Sequence, residues 1–173
     1  MNMIQYPGDP IMKIKRICIS GILIAVSMIF SYIESLIPVL PSVPGVKLGL
    51  ANICVLFCLY KLKASDAFLV LILRIVLVGF TFTSLFSIVY SLSGGICSFL
   101  LMLLFKKSGK FSIIGVSISG GVTHNMAQLA AAAFILQTKA VLFYLPHLLI
   151  FGAISGFLMG IISKETVNRV KVN

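Results

Sequence analysis

Six apolar runs, separated by short polar or cationic breaks, leave this chain few ways to fold. They cover roughly residues 16–37, 46–60, 65–82, 84–105, 112–137 and 139–163. A helix needs about 20 apolar residues to cross the hydrocarbon core of a bilayer. Four runs exceed that length, the third nearly reaches it, and the second is short. Hydrophobic residues make up 60% of the 173 residues and charged ones only 10%. A soluble domain carries about 25% charged residues. A soluble fold of this size has too much surface for its volume to hide so many apolar side chains. The expected fold is an all-α membrane protein, a six-helix transmembrane bundle forming one domain over residues 1–173.

Charge chooses among the possible threadings. The net charge of +10 would suggest nucleic-acid binding in a soluble chain. Here the bases sit between apolar runs, as the positive-inside rule requires, and no nucleic-acid partner is implied. With six spans and a cytoplasmic N-terminus, the inside holds Lys13, Lys15, Arg16, Lys61, Lys63, Lys106, Lys107, Lys110, Lys164, Arg169 and Lys171. The outside holds Lys47 and Lys139, and Arg74 is left within a span. Removing the second run weakens this bias, so six spans with both termini cytoplasmic is the expected topology. The first run is too long for a signal peptide and is not followed by a small-residue cleavage site.

Breaks and small residues add detail. Pro38, Pro41 and Pro44 stop helix between the first two runs, leaving an external loop that is either a lid or a connector. Gly152, Gly156 and Gly160 form one ridge on the last helix, and Ser91 with Gly95 and Gly94 with Ser98 pair on the fourth. Small residues at this spacing let helix backbones approach in lipid. Internal packing accounts for these. Gly21 and Ala25 make a similar pair on the first helix, toward the cytoplasmic side, where a partner subunit could dock.

Polar side chains inside the membrane are costly and raise functional hypotheses. Lys47, Asn52, Glu34, Arg74, His124, Asn125, Gln128, Tyr144 and His147 all fall between the expected midplane and the outer face. Such shared depth suits a cavity that captures an external solute. Gly120, His124 and Gln128 occupy one helical stripe, with Gly121 and Asn125 on the next. Interhelical hydrogen bonding is the alternative role for these residues. Arg74 stays protonated and needs an anion, which Glu34 or a ligand could supply. If Arg74 and Lys47 line the cavity, the solute carries a carboxylate or phosphate. The candidate binding residues are Lys47, Asn52, Arg74, His124, Asn125, Gln128 and His147.

Catalysis finds little support. The four acids, Asp9, Glu34, Asp66 and Glu165, are scattered, so paired-carboxylate or Mg²⁺ chemistry lacks ligands. There is no nucleotide-binding P-loop. Cys18, Cys54, Cys58 and Cys97 lie in apolar runs without a nearby His or acid and read as packing residues. No metal or cofactor is implied.

The stretches Gly45–Ile53, Arg74, Ser91–Gly95 and Gly120–Gln128 resemble, in order, the Gx transporter family, also labelled heptaprenyl diphosphate synthase component I. That family is similar to the substrate-binding S components of energy-coupling factor transporters. The resemblance implies a six-helix protein that binds a micronutrient and works with a transmembrane coupling subunit and ATPase subunits. It further implies that Gly21 and Ala25 meet the coupling subunit. The older label implies prenyl chain elongation, whose aspartate-rich motifs are missing here, so the chain would be at most an accessory subunit. Two other readings are a noncatalytic subunit of an isoprenoid or quinone pathway enzyme and an anchor in a flavin or quinone redox assembly.

Overall fold

A computed structural model describes residues 10–36 and 48–170. Those residues form α1 (Pro10–Leu36), α2 (Asn52–Lys61), α3 (Ala64–Phe82), α4 (Leu85–Ser108), α5 (Ile113–Leu136), a 3-10 helix (Lys139–Tyr144) and α6 (Leu145–Arg169). No strand occurs among them.

Local chemistry sets several of the boundaries. Ser84 and Ser112 accept the N–H groups of Ser87 and Gly115, capping α4 and α5 where helices otherwise leave donors unpaired. Gly109, at φ +67°, closes α4 in the left-handed conformation that glycine adopts without steric cost. Pro146 enters α6 in its first turn, where no amide donor is required.

Cross-helix contacts fix the directions of the helices. Arg16 meets Asp66 and Tyr32 meets Phe82, so α1 and α3 run parallel. Gly79 faces Ile88, Gly120 faces Met102 and Gly121 faces Gly152, so α3, α4, α5 and α6 alternate. Lys13, Lys15, Arg16, Lys61, Lys63, Lys106, Lys107, Lys110, Lys164 and Arg169 thereby gather toward one end, the basic end.

Two expected spans differ from what is observed. The second was expected over 46–60, but α2 holds only 10 residues. At 1.5 Å per residue that is about 15 Å, roughly half a bilayer core. Gly49, at φ +77°, takes the chain through a turn just before it. Leu50 lies against Glu34 near the end of α1, and from there α2 runs back toward the start of α3. Ile53 through Leu59 are all buried, so α2 is a plug within the bundle. Leu56 and Leu59 pack there with Leu71, Met102 and Val116. Lys106 donates to the carbonyl of Leu59, satisfying an acceptor near the end of α2. The last span, expected over 139–163, divides into the 3-10 helix and α6, which runs on to Arg169.

Among the described residues, four stretches are long and apolar enough to cross a membrane: Ile11–Leu36, α3, α4 and Ala140–Arg169. Their outward faces match, with Ile22, Phe80, Leu100 and Ile154 exposed. At 24 residues α5 has the length, but His124, Asn125 and Gln128 interrupt its apolar character. Four of the six expected spans are thus matched by long apolar stretches among the described residues.

The expected glycine ridge packs inside the bundle. A Cβ on Gly156 would lie 2.8 Å from the Ser117 oxygen, and one on Gly121 would lie 2.4 Å from that of Gly152. Backbone meets backbone along the α5–α6 seam, a contact any side chain would prop open.

Candidate ligand-binding site

A cavity of about 160 Å³ lies among the helices, with walls drawn from all six. Glu34 comes from α1, Asn52 from the first turn of α2, Arg74 from α3, Ser91 from α4, His124, Asn125 and Gln128 from α5, and Ser155 from α6. The central α5 sequence reaches this cavity because α4 and α5 touch at glycine. A Cβ on Gly94 would lie 2.8 Å from both the His124 carbonyl oxygen and the Gln128 side chain.

Arg74 dominates the electrostatics. Its side chain is half-buried, and its Nε is enclosed without a hydrogen-bond partner. An enclosed, unsatisfied donor on a permanent cation is costly unless something occupies the space before it. Glu34 is the natural internal counter-ion, yet its Oε1 accepts the N–H of Leu50 at 2.8 Å. The ion pairs among the described residues are Arg16–Asp66 and Arg169–Glu165. The salt bridge entertained between Arg74 and Glu34 is therefore not formed.

Asn125 has two roles. Its Nδ2 donates to the Leu148 carbonyl at 2.8 Å, tying α5 to α6. Gly152 makes that reach possible, since a Cβ there would lie 2.9 Å from the same Nδ2. Asn125 still lines the cavity, so the interhelical bond and exposure to a ligand are compatible.

Of the expected residues, Asn52, Arg74, His124, Asn125 and Gln128 come together. His147 does not: it is exposed on the first turn of α6, outside the lining. Lys47 and the loop from Pro38 lie outside the described residues. Gly21 and Ala25 are both exposed on α1, and no atom lies within 4 Å of a Cβ built on Gly21.

Several serines give no sign of a role in the sequence. Ser31, Ser35, Ser87 and Ser155 also line the cavity. Serine carries little signal in an apolar helix because its hydroxyl can bond the preceding turn. Ser35 and Ser155 do so, donating to the carbonyls of Tyr32 and Gly152.

Fold and cavity together define an all-α, membrane-type helical bundle with a polar chamber among its helices. The chain belongs to the heptaprenyl diphosphate synthase component I family, which it matches over residues 23–166. No curated protein and no solved structure matches it.

Proposed function

We propose that this chain is the solute-binding membrane subunit of an importer, taking a small anionic vitamin-, quinone- or isoprenoid-related compound from outside the cell. The observation that carries the reading is Arg74, whose Nε is enclosed without a partner beside a chamber lined by amide and imidazole groups. A ligand carboxylate or phosphate would supply the missing acceptor, and charge-assisted bonds of this kind are strong. In this reading the chain crosses the plasma membrane six times, with α2 within the second crossing. The basic end lies in the cytoplasm, following the positive-inside rule. The chamber then opens outward.

The described acids support binding over catalysis. Glu34 holds Leu50, Asp66 is forked onto Arg16, and Glu165 pairs with Arg169. Asp66 and Glu165 lie at the basic end, apart from Glu34 in the cavity wall, so the described acids do not gather as a pair that would hold Mg²⁺ and diphosphate. Energy would come from a transmembrane coupling subunit and separate ATPase subunits. The open Gly21–Ala25 patch on α1 offers a place for the former. Release inside requires the ligand to favour one conformation over another, which a partner would then reverse.

The test begins with mass spectrometry of small molecules that co-purify with the protein. Affinity for the compound found is then measured in Arg74→Gln, Asn125→Ala and Gln128→Ala. Each should weaken binding at least tenfold, and unchanged affinity in all three would defeat the assignment. The family description favours a second reading, a noncatalytic membrane component of a prenyl diphosphate synthase. A stable complex with a soluble prenyl synthase, raising its activity, would favour that alternative.

A further inference from the structure

A second cavity, of about 520 Å³, lies between α4, α5, α6 and the 3-10 helix, and it is a half-open groove with Phe86 and Leu136 exposed at its edge. Its wall is mainly Phe86, Leu129, Ala132, Leu136, Val141 and Leu148, and no charged residue lines it. It is about three times the volume of the Arg74 chamber. The two are neighbours: Ser87 and Gln128 line both. Gln128 can stand at this boundary because Gly94 leaves it room, with a Cβ there coming 2.8 Å from its Cγ.

The chambers differ in chemistry as well as in size. One holds an unpartnered cationic donor among polar groups. An apolar cavity of about 150 Å³ holds one benzene, so the polar chamber has room for a head group and little more. The other chamber offers apolar wall to a chain or ring several times larger.

We infer that Ser87 and Gln128 form a neck between a head chamber and a tail chamber, and that the ligand is an amphiphile with an anionic head on Arg74 and an apolar tail between α4, α5 and α6. The inference rests on the anion-binding role of Arg74 proposed above and adds the tail. Ligands carrying the head alone bind weakly, and affinity grows with tail length until the second chamber is filled.

The test uses the full chain in lipid nanodiscs, with empty nanodiscs correcting for partition into lipid. Acetate, hexanoate and decanoate are titrated beside methyl, hexyl and decyl phosphate. The two series separate a carboxylate head from a phosphate head. Burying one methylene is worth roughly a fourfold gain in affinity. Decanoate or decyl phosphate should therefore bind at least tenfold more tightly than its six-carbon counterpart. In Ala132→Trp, which fills the tail chamber, the ten-carbon ligand should fall to the level of its one- or two-carbon counterpart. Ser87→Leu, which closes the neck, should do the same and serves if the first variant does not fold. In Arg74→Gln the long ligand should lose its binding. Arg74-dependent binding that ignores tail length would overturn the amphiphile and leave the anion site standing. Length-dependent binding that survives Arg74→Gln would make the second chamber an independent lipid groove and overturn the inference. A tail gain that survives both Ala132→Trp and Ser87→Leu would overturn it too. If no probe binds the unaltered chain, the anion site itself falls.

Discussion

Glu34 Oε1 accepts the backbone N–H of Leu50 at 2.8 Å, so the acid in the cavity wall holds the turn into α2 instead of Arg74. Both side chains line the same cavity, so its charge lies near Arg74. Glu34→Ala should cost about 1–3 kcal/mol, because it strands a part-buried amide donor. Glu34→Gln keeps an acceptor and should cost less. Since it also removes a negative charge near Arg74, anion affinity should stay level or rise. Thermal unfolding in detergent and anion titration read the two effects separately. An alanine variant as stable as the original chain would show that the tether does not hold the turn.

Gly121 and Gly156 pack against backbone, whereas Gly21 does not. A Cβ on Gly121 would meet the Gly152 oxygen at 2.4 Å, and backbone cannot step aside as a side chain can. Gly121→Ala and Gly156→Ala should each destabilise the bundle by about 1–3 kcal/mol, the usual range for overpacking. Gly21 has open space around it, so Gly21→Ala should be neutral or stabilise α1 by up to about 1 kcal/mol. Unfolding of the three variants side by side checks the ordering. Gly21→Leu should preserve the isolated bundle and block capture of a coupling subunit on α1. A complex that survives it would remove that face from consideration.

Asn125 should separate binding from stability. Interhelical hydrogen bonds in membrane proteins average only about 0.6 kcal/mol, because the unfolded helix also finds partners in the bilayer. Loss of the bond to Leu148 in Asn125→Ala should lower stability by about that much. Its effect on ligand affinity should be at least tenfold. Melting temperature and dissociation constant measured on one preparation decide the matter. A large stability loss with unchanged affinity would make Asn125 a structural residue only.

The basic end carries its own clamp. Arg16 donates from Nε and Nη2 to both oxygens of Asp66, at 2.6–2.9 Å, joining the start of α1 to α3. Asp66 also accepts the N–H of Lys63, capping its own helix. Forked, partly shielded pairs are stronger than exposed ones. Asp66→Ala should therefore cost about 2 kcal/mol, within the range for bonds to charged groups. A double-mutant cycle with Arg16→Gln should show coupling, whereas additive losses would mean that the cap alone matters.

Orientation can be read chemically. In a cysteine-free background, Lys110→Cys should react with a membrane-impermeant thiol reagent only after the membrane is opened. Lys139→Cys should react in intact cells. The reverse pattern would invert the proposed topology and turn the chamber toward the cytoplasm.

Much of the fold was legible because the decisive cost is local. An apolar run, a glycine ridge on α6 or a polar side chain inside an apolar helix declares itself without reference to the rest of the chain. Gly152, Gly156 and Gly160 were read as packing residues, and they pack. Asn52, Arg74, His124, Asn125 and Gln128 were grouped by depth along their helices, and they line one cavity. His147 shared that depth but not that cavity, since depth along a helix says nothing about which way a residue turns.

The sequence by itself determined that the chain is helical and suited to lipid, because apolar length is a property of single segments. Only the tertiary structure decided that α2 is a buried plug, that Glu34 holds Leu50, that serines line the polar chamber and that an apolar chamber adjoins it. Each depends on which surfaces meet across separate helices, and the energy of such a meeting is written in no single stretch of sequence.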